Sequence, residues 1–313
     1  MSFVSYAQNF EDVMLWRALK DIKGGFYVDV GANSPGMDSV TKAFYDRGWR
    51  GINIEPLASH FLELQQMRPG DINIQCAAGP SRGEVELWEC DVRGWASADE
   101  TTVAFHKKHG HKGVFLTVPM LTLSEICATN AKGAIHFLKI DVEGFEKQVL
   151  DGMDFSTHRP WILLIEATRP NSTEEIYAEW ESQVLNFDYI FAYSDGLNRF
   201  YVAKEHSELL TSFRYPPNVF DNFVRYEQAL FEGRTQVAED KIILLESQIR
   251  RTESLIQNAE TEIQKMKLQI QESIELSNHL TAKIEGIYCS TSWRITKPLR
   301  VVKQLFSAPK NNQ

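Results

Sequence analysis

Apolar and polar positions in residues 26–203 form short apolar runs that are separated by amphipathic segments. The runs at 26–30, 51–54, 72–76, 135–140, 161–165, 189–193 and 199–203 predict β-strands, and the segments at 9–19, 39–46 and 59–67 predict helices. Strands that alternate with helices need crossover connections, so the pattern predicts a doubly wound α/β fold with a mostly parallel sheet. Only residues 194–198 separate the last two strands, which should therefore form an antiparallel hairpin at one edge.

A different pattern begins after Phe231. Isoleucine recurs every seven residues, and Ser277 interrupts the series Ile242, Ile249, Ile256, Ile263, Ile270 and Ile284. The positions three residues further on are mixed, with Thr252, Ala259 and Ser273 among leucine, methionine and isoleucine. A heptad pattern of this length is typical of a coiled coil, and one amphipathic helix packed on the domain is the alternative. We therefore divide the chain into a domain at 1–230, a coiled coil at 236–288 and a tail at 289–313.

The tail is basic and amphipathic. It has five basic residues and no acidic one, namely Arg294, Lys297, Arg300, Lys303 and Lys310. On a helix, its apolar residues share one face: Ile295, Pro298, Leu299, Val302, Leu305 and Phe306. This layout predicts an interfacial helix that binds anionic lipid, and a contact with a partner protein or an irregular chain end is the alternative.

Charge and cysteine usage narrow the class of protein. The net charge of −9 disfavours nucleic acid as a partner. The four cysteines are scattered and have neither disulfide-frame nor zinc-like spacing, which indicates reduced thiols. We find no signal peptide and no apolar run of the roughly 18 residues that a spanning helix needs. We expect a cytoplasmic protein that contacts the inner face of a membrane through its tail.

The most specific local signal is the segment from Val28 to Gly36, directly after the first long strand. Gly31 permits a tight turn and a close approach to a ligand, and the backbone N–H groups that follow can bind it. A dinucleotide fingerprint would have glycine where Asn33 stands, and an amide there suits a cofactor without phosphate, such as S-adenosylmethionine (SAM). Glu55 ends the next strand, where its carboxylate can accept hydrogen bonds from both ribose hydroxyls.

Five segments together resemble the FkbM family of SAM-dependent methyltransferases. They are Ser5 to Asp12, FYVDVGAN at 26–33, GINIEP at 51–56, Leu121 to Ser124 and FLKIDVEGFE at 137–146. The resemblance covers residues 5–224 and excludes the tail. It implies a class I methyltransferase sheet and O-methylation, often of sugars or glycan-linked products. With the strand positions, it predicts cofactor contacts from Gln8, Asp12, Asp29, Gly31, Ala32, Asn33, Glu55, Pro56 and Ala77.

Carboxylates follow the strands at 135–140 and 161–165, at the edge where doubly wound sheets bind their ligands. We predict Asp141 as the catalytic residue nearest the reacting centre, with helix capping as its alternative role. Glu166 faces the same crevice in this prediction. The two carboxylates could bind a divalent metal ion, but no third ligand is evident in the sequence and a metal site is not favoured. His106, in a loop with His109 and His111, is a candidate general base.

The sequence therefore predicts a SAM-dependent O-methyltransferase that acts on a sugar hydroxyl of a glycan or glycolipid in bacterial cell-surface polysaccharide synthesis. Trp95, Ser97, Asn198 and Asn218 suit a carbohydrate acceptor. The coiled coil predicts a homo-oligomer. One alternative is an inactive methyltransferase fold that serves as a scaffold in polysaccharide assembly. Another is a nicotinamide-dependent oxidoreductase, which Asn33 disfavours.

Overall fold

The computed structural model describes residues 2–170 and 172–307, with side chains described up to residue 303. The chain divides into two compact units, at Met1–Glu232 and Gly233–Gln313. In the predicted basic tail, Lys310 lies outside the described residues, as do the side chains of Leu305 and Phe306.

The first unit is built from strands and short helices. The strands are β1 Phe3–Ser5, β2 Phe26–Val30, β3 Arg50–Ile54, β4 Ile72–Ile74, β5 Ala77–Ala78, β6 Gly83–Cys90, β7 Gly113–Leu121, β8 Phe137–Ile140, β9 Ile162–Glu166, β10 Tyr189–Ser194, β11 Asn198–Ala203 and β12 Phe223–Arg225. The helices are α1 Glu11–Leu19, α2 Lys42–Tyr45, α3 Ala58–Met67, α4 Glu100–Lys108, α5 Leu123–Asn130, α6 Glu146–Asp151 and α7 Glu181–Asn186. Short 3₁₀ helices lie at Tyr177–Glu179, Lys204–Phe213 and Val219–Asp221.

The central sheet has seven strands in the order β10-β11-β9-β8-β2-β3-β4. Strands β4, β3, β2, β8 and β9 run parallel, and β11 is antiparallel to both of its neighbours. The doubly wound α/β sheet with an antiparallel edge hairpin is therefore confirmed. The order of the strands along the sheet reverses between β2 and β8, and ligands of such sheets bind beyond the carboxyl ends of the strands at this point.

Alternate residues of the central strands enter two different cores. Val28 of β2 and Leu138 of β8 pack against α5, α6 and α7. Tyr27 and Phe137, one residue earlier on the same strands, pack with α1 and α2 on the other face. Because both faces are covered by helices, both sets of side chains must be apolar, and the strands read as continuous apolar runs. A polar residue inside such a strand is therefore conspicuous.

A smaller sheet with the order β5-β7-β6 was not predicted. Strands β6 and β7 pair antiparallel along their whole length, from Gly83 opposite Met120 to Cys90 opposite Gly113. Residues 91–112, which include α4, connect them, and we call these residues the roof segment. The sequence interpretation treated this region as loops because the strands alternate only weakly and most of their side chains are partly or fully exposed.

Several predicted boundaries are corrected. The strand at 72–76 ends at Ile74, and the helix at 39–46 is reduced to Lys42–Tyr45. Helix α1 begins at Glu11 and its N-cap is Phe10, in a left-handed conformation with φ of 63°. The Phe10 side chain makes no capping hydrogen bond, and the Asn9 backbone N–H donates to the Glu11 carboxylate at 2.8 Å.

The two ends of the first unit meet in a two-stranded sheet. Strand β1 pairs parallel with β12, with Phe3 opposite Phe223 and Ser5 opposite Arg225. Strand β12 is followed directly by the long helix α8, Tyr226–Cys289. The first and last strands of the unit are thus paired with each other immediately before the helix begins.

The second unit consists of most of α8 and two short helices, α9 Thr291–Ile295 and α10 Lys297–Ser307. Helix α8 has no buried residue, and its heptad isoleucines are about half exposed. Pro298 lies in the first turn of α10, where its missing N–H leaves no helical hydrogen bond unmade. Within residues 2–170 and 172–307, no helix combines the length and apolar character that crossing a membrane requires.

We predict that truncation after Glu232 gives a folded monomer, whereas the full-length chain self-associates. The first unit has its own cores, and the exposed apolar stripe lies on the helix that the truncation removes. Light scattering measures the mass, and thermal unfolding tests the fold. An oligomeric truncated chain would show that the domain itself carries the contact.

Candidate functional site

A cavity of about 380 Å³ lies beyond the carboxyl ends of β2, β3 and β8. Its floor is formed by the turns that follow these strands, and the roof segment contributes Arg93, Gly94, Trp95, Ala96 and Ala98 to its wall. A volume of this size suits a small molecule such as a nucleoside-based cofactor. The location is the one that the reversal of strand order predicts.

The turn after β2 brings two strands together. Gly31 has φ of 74°, and a Cβ there would meet the Asp141 carbonyl oxygen at 1.8 Å. The backbone N–H groups of Gly31 and Ala32 both donate to the carbonyl of Ile54. Gly31 was predicted to permit close approach of a ligand, but its tightest neighbour is the backbone that follows β8. Any larger residue would therefore force β2 and β8 apart.

Glu55 is held rigidly at the end of β3. One carboxylate oxygen accepts the Asn33 backbone N–H at 2.9 Å, and the other accepts that of Leu57 at 2.8 Å. Asn33 adopts a left-handed conformation with φ of 45°, which asparagine tolerates better than most residues. Since each carboxylate oxygen has a second lone pair, Glu55 can still accept hydrogen bonds from a ligand. This arrangement fits the predicted ribose contact.

Lys139 lies at the centre of the site. Its ammonium group donates to the Gly31 carbonyl at 2.9 Å and lies 3.3 Å from Asp29 and 3.2 Å from Asp141. Burial alone would lower the pKa of Lys139, but the carboxylates of Asp141 and Asp29 outweigh this and raise it. The lysine is therefore a permanent cation that joins β8 to the turn after β2.

Three further acidic residues, Glu143, Glu146 and Glu166, lie near Asp141. Burial, followed by the charges of Asp141 and Glu146, raises the pKa of Glu143 well above its ordinary value. Burial raises the pKa of Glu146 to about 7, although its carboxylate accepts the backbone N–H groups of Val142 and Gly144. Burial and these acidic neighbours also raise the pKa of Glu166, which donates a hydrogen bond to Asp141 when protonated.

Most of the predicted cofactor residues line the cavity: Gln8, Asp29, Gly31, Ala32, Asn33, Glu55, Pro56 and Ala77. Asp141 lines it as well, at the opposite end of the Lys139 ion pair. Asp12 does not, since it is fully buried and accepts hydrogen bonds from Ser5 and the backbone of Tyr6. Asp12 instead fixes the segment that leads to Gln8.

Glu166 and His106 do not line the cavity either. Glu166 influences the site through its electrostatic interaction with Asp141, which does line the cavity. His106 lies in α4 rather than in a loop, and its ring stacks against the rings of Trp88 and Trp95, at centroid distances of 5.9 and 5.0 Å. Burial, followed by the proximity of His111 and His109, lowers the pKa of His106. This histidine supports Trp95, which does line the cavity.

Of the residues suggested for a carbohydrate, Trp95 alone lines the cavity among those described. Ser97 is buried and donates to the Glu143 carbonyl at 2.7 Å. Asn198 begins β11 and donates to the Glu11 carboxylate, and Asn218 caps a 3₁₀ helix.

Sequence interpretation missed three functional residues, Lys139, Arg68 and Arg93. The fully buried Arg68 donates to the Pro35 carbonyl and the Ser39 hydroxyl, which fixes the loop that follows the glycine turn. Arg93 connects the roof segment to Asn33 at 3.0 Å and to Glu63 at 2.8 Å. A lysine in the buried strand FLKI, in register with Asp29, was the available signal for Lys139.

The same geometry bears on the predicted metal alternative. The position between Asp29 and Asp141, where a divalent ion would neutralise two carboxylates, is taken by the Lys139 ammonium group. Among the described residues, Asp141 and Glu166 are not joined by a third ligand residue into a metal-binding group. A divalent ion at this position would therefore have to displace the ammonium group.

Comparison with protein-family models finds one described as Methyltransferase FkbM domain, which matches residues 29–191. The match covers more than half of the chain and includes the turn after β2, Glu55, Lys139 and Asp141. No curated protein and no solved structure matches the chain at a significant level.

We predict that Lys139→Met destabilises the domain by about 3 kcal/mol, because it leaves the buried Asp29 carboxylate without its cation. Adding Asp29→Asn should restore part of this loss, since the double variant buries no unpaired charge. Lys147→Met, which breaks a surface pair with Asp151, is the matched control and should change stability by less than about 0.5 kcal/mol. Chemical unfolding measures all three. Equal stabilities for Lys139→Met and the control would contradict the role of this lysine.

Proposed function

This chain belongs to the FkbM methyltransferase family, and we propose that it transfers the methyl group of SAM to a sugar hydroxyl of a glycan or glycolipid. The observation that carries the proposal is one cavity with Glu55 on one side and Asp141 on the other. These two carboxylates follow strands that flank β2, so the sheet fixes the distance between them.

The residues of the cavity fit SAM. Glu55 would accept the ribose hydroxyls, and Ala77 and Leu87 offer apolar surface to the adenine ring. Asp141 gives the opposite side a carboxylate that suits a sulfonium cation. When bound, SAM supplies a methyl group that is activated by its positively charged sulfur.

The chain's own contribution to the reaction is orientation of the acceptor and removal of its proton. Asp141 lies 3.2 Å from the Lys139 ammonium group and faces the cavity, and burial and nearby carboxylates raise the pKa of the neighbouring Glu166. We assign Asp141 the role of accepting the hydrogen bond, and then the proton, of the acceptor hydroxyl. Burial, followed by its acidic neighbours, raises the pKa of Glu143 well above its ordinary value, and Glu143 lines the same cavity, where it can hydrogen-bond to the same acceptor.

Trp95 supports the choice of a sugar. It lines the cavity from the roof segment, and an aromatic ring offers an apolar surface to the C–H groups of a sugar ring. The family match covers β3 to β9, which include the β6–β7 hairpin that carries the roof segment. The bacterial polysaccharide pathway is part of the same proposal.

Two rival functions lead to different measurements. An inactive scaffold would transfer no methyl group to any acceptor, and retained SAM binding would speak against it. A nicotinamide-dependent oxidoreductase would bind NAD. The phosphates of NAD would then lie against Asn33 and Arg93 at the turn after β2. Incubation with radiolabelled SAM and bacterial cell-envelope extract tests for the acceptor directly, and label in a carbohydrate fraction is the expected result.

We also propose that the protein is a homo-oligomer through α8. In a parallel pair with the isoleucines at the first core position, Lys241 of one chain faces Glu246 of the next and Glu262 faces Lys267. At the other positions that face each other in the same way along the heptad repeat, no two residues carry the same charge. This pattern favours parallel pairing of two or three chains.

The basic helix α10 supports a peripheral location at the inner face of a membrane. Leu299 and Val302 of this helix and Ile295 at the end of α9 are exposed, and basic residues lie beside them. Weak interfacial helices that are joined by a parallel coil bind a lipid surface much more strongly than one alone.

We predict that Glu55→Ala abolishes measurable SAM binding, because the variant loses charge-assisted hydrogen bonds of about 1.5–3 kcal/mol each and releases the Asn33 turn. Isothermal calorimetry measures the affinity. Glu84→Ala, an exposed position on β6, should bind SAM like the unmodified protein. Unchanged affinity in Glu55→Ala would refute the assignment of the cofactor site.

We predict that Asp141→Asn retains SAM binding and lowers turnover by about 100-fold or more, because the amide can orient the hydroxyl but cannot accept its proton. Single-turnover assays with labelled SAM separate the chemical step from binding. Asp151→Asn, at the exposed end of α6, is the matched control and should leave turnover unchanged. Full activity in the Asp141→Asn variant would remove Asp141 from the chemistry.

A further inference from the structure

Three potential metal ligands of different chemistry meet at the base of the roof segment. Cys90 ends β6, Asp91 follows it, and His111 precedes β7. The Cys90 Sγ lies 3.4 Å from Asp91 Oδ1, and His111 Nδ1 lies 3.7 Å from the same oxygen. The ligand atoms of the three residues all lie within 4.8 Å of one another.

Two of these distances, 3.4 and 3.7 Å, are close to the edges of a tetrahedral zinc site. Zinc bonds of about 2.3 Å to sulfur and about 2.0–2.2 Å to nitrogen and oxygen give ligand separations of about 3.4–3.6 Å. A thiolate, an imidazole and a carboxylate form a donor set that suits zinc and excludes calcium and magnesium, which need oxygen ligands. The two anionic ligands would also neutralise the charge of a divalent ion.

We propose that Cys90, Asp91 and His111 bind a zinc-class divalent ion that fastens the two ends of the roof segment. All three side chains are partly exposed, so a water molecule can complete the tetrahedron. The thiol of Cys90 gives up its proton to solvent when the metal–sulfur bond forms. This site is separate from the Lys139 ion pair, and it does not depend on the proposed function.

The backbone holds the three residues in place before any metal arrives. Cys90 is opposite Gly113 in the β6–β7 ladder, and the Asp91 N–H donates to the Lys112 carbonyl at 2.8 Å. The His111 ring packs edge-on against Trp95, with ring centroids 4.8 Å apart. Binding therefore needs only small movements of the side chains.

A metal ion bound at this site would also affect the wall of the cavity. The roof segment spans 22 residues between the two strands that the ion would join. His111 touches Trp95, and Trp95 lines the cavity. A bound ion would therefore hold Trp95 in its present place and reduce opening of the roof segment.

Cobalt(II) titration of the untagged, metal-free, full-length protein tests the site, because a cobalt–thiolate bond has its own absorption band. We expect one cobalt per chain, displaced by zinc. Cys90→Ser should lose the band, and Cys90→Ser and His111→Ala should each weaken binding by at least about tenfold. Cys289→Ser and His109→Ala, which alter a cysteine and a histidine outside the cluster, should bind like the unmodified protein. A thiolate band that survives Cys90→Ser, or no binding by the unmodified protein, would overturn the proposal.

Limited trypsin digestion tests whether a bound ion fastens the roof segment. Lys107, Lys108 and Lys112 are exposed cleavage sites within the roof segment. Zinc should slow cleavage at these sites severalfold in the unmodified protein and should have no effect in Cys90→Ser. Equal cleavage rates with and without zinc in a protein that binds the metal would refute the fastening role. Thermal unfolding without metal checks that Cys90→Ser remains folded.

Discussion

The ion pair between one lysine and two aspartates determines most of what surrounds the cavity. Lys139 comes from β8, Asp29 from β2, and Asp141 from the turn after β8, and the ammonium group also binds the Gly31 carbonyl. A buried charge is tolerated only when it is paired and hydrogen-bonded. The two central strands therefore cannot separate at their carboxyl ends without leaving the buried charges of Lys139 and Asp29 unpaired.

This constraint explains the shape of the neighbouring turns. Gly31 must lack a side chain because the Asp141 carbonyl occupies the space beside it. Once that turn is fixed, the Asn33 N–H reaches Glu55, and Arg93 closes the roof segment onto Asn33. Burial, followed by the charges of nearby carboxylates, raises the pKa of Glu143 and of Glu166. Burial and the crowding of carboxylates therefore both disfavour the charged forms of these two residues.

The sequence predicted the sheet and the cofactor turn because both depend on local signals. Apolar strands between amphipathic helices, a glycine after β2 and an acid after β3 can be read without knowledge of the fold. The role of Lys139 depends on register, since only the alignment of β2 with β8 brings it opposite Asp29. The β6–β7 hairpin that carries the roof segment escaped prediction because its strands are largely exposed. His106 was misjudged for a related reason: its burial comes from Trp88 and Trp95, on other parts of the chain.

The pairing of β1 with β12 allows the catalytic domain to be joined to different neighbouring segments. Because its first strand lies beside the strand that enters α8, the domain begins and ends at the same place on its surface. Domains with adjacent ends can be joined to new segments without a change in their interior. Evolution could thus exchange the helical extension for one of another length or partner preference, while the sheet and its cavity were inherited unaltered.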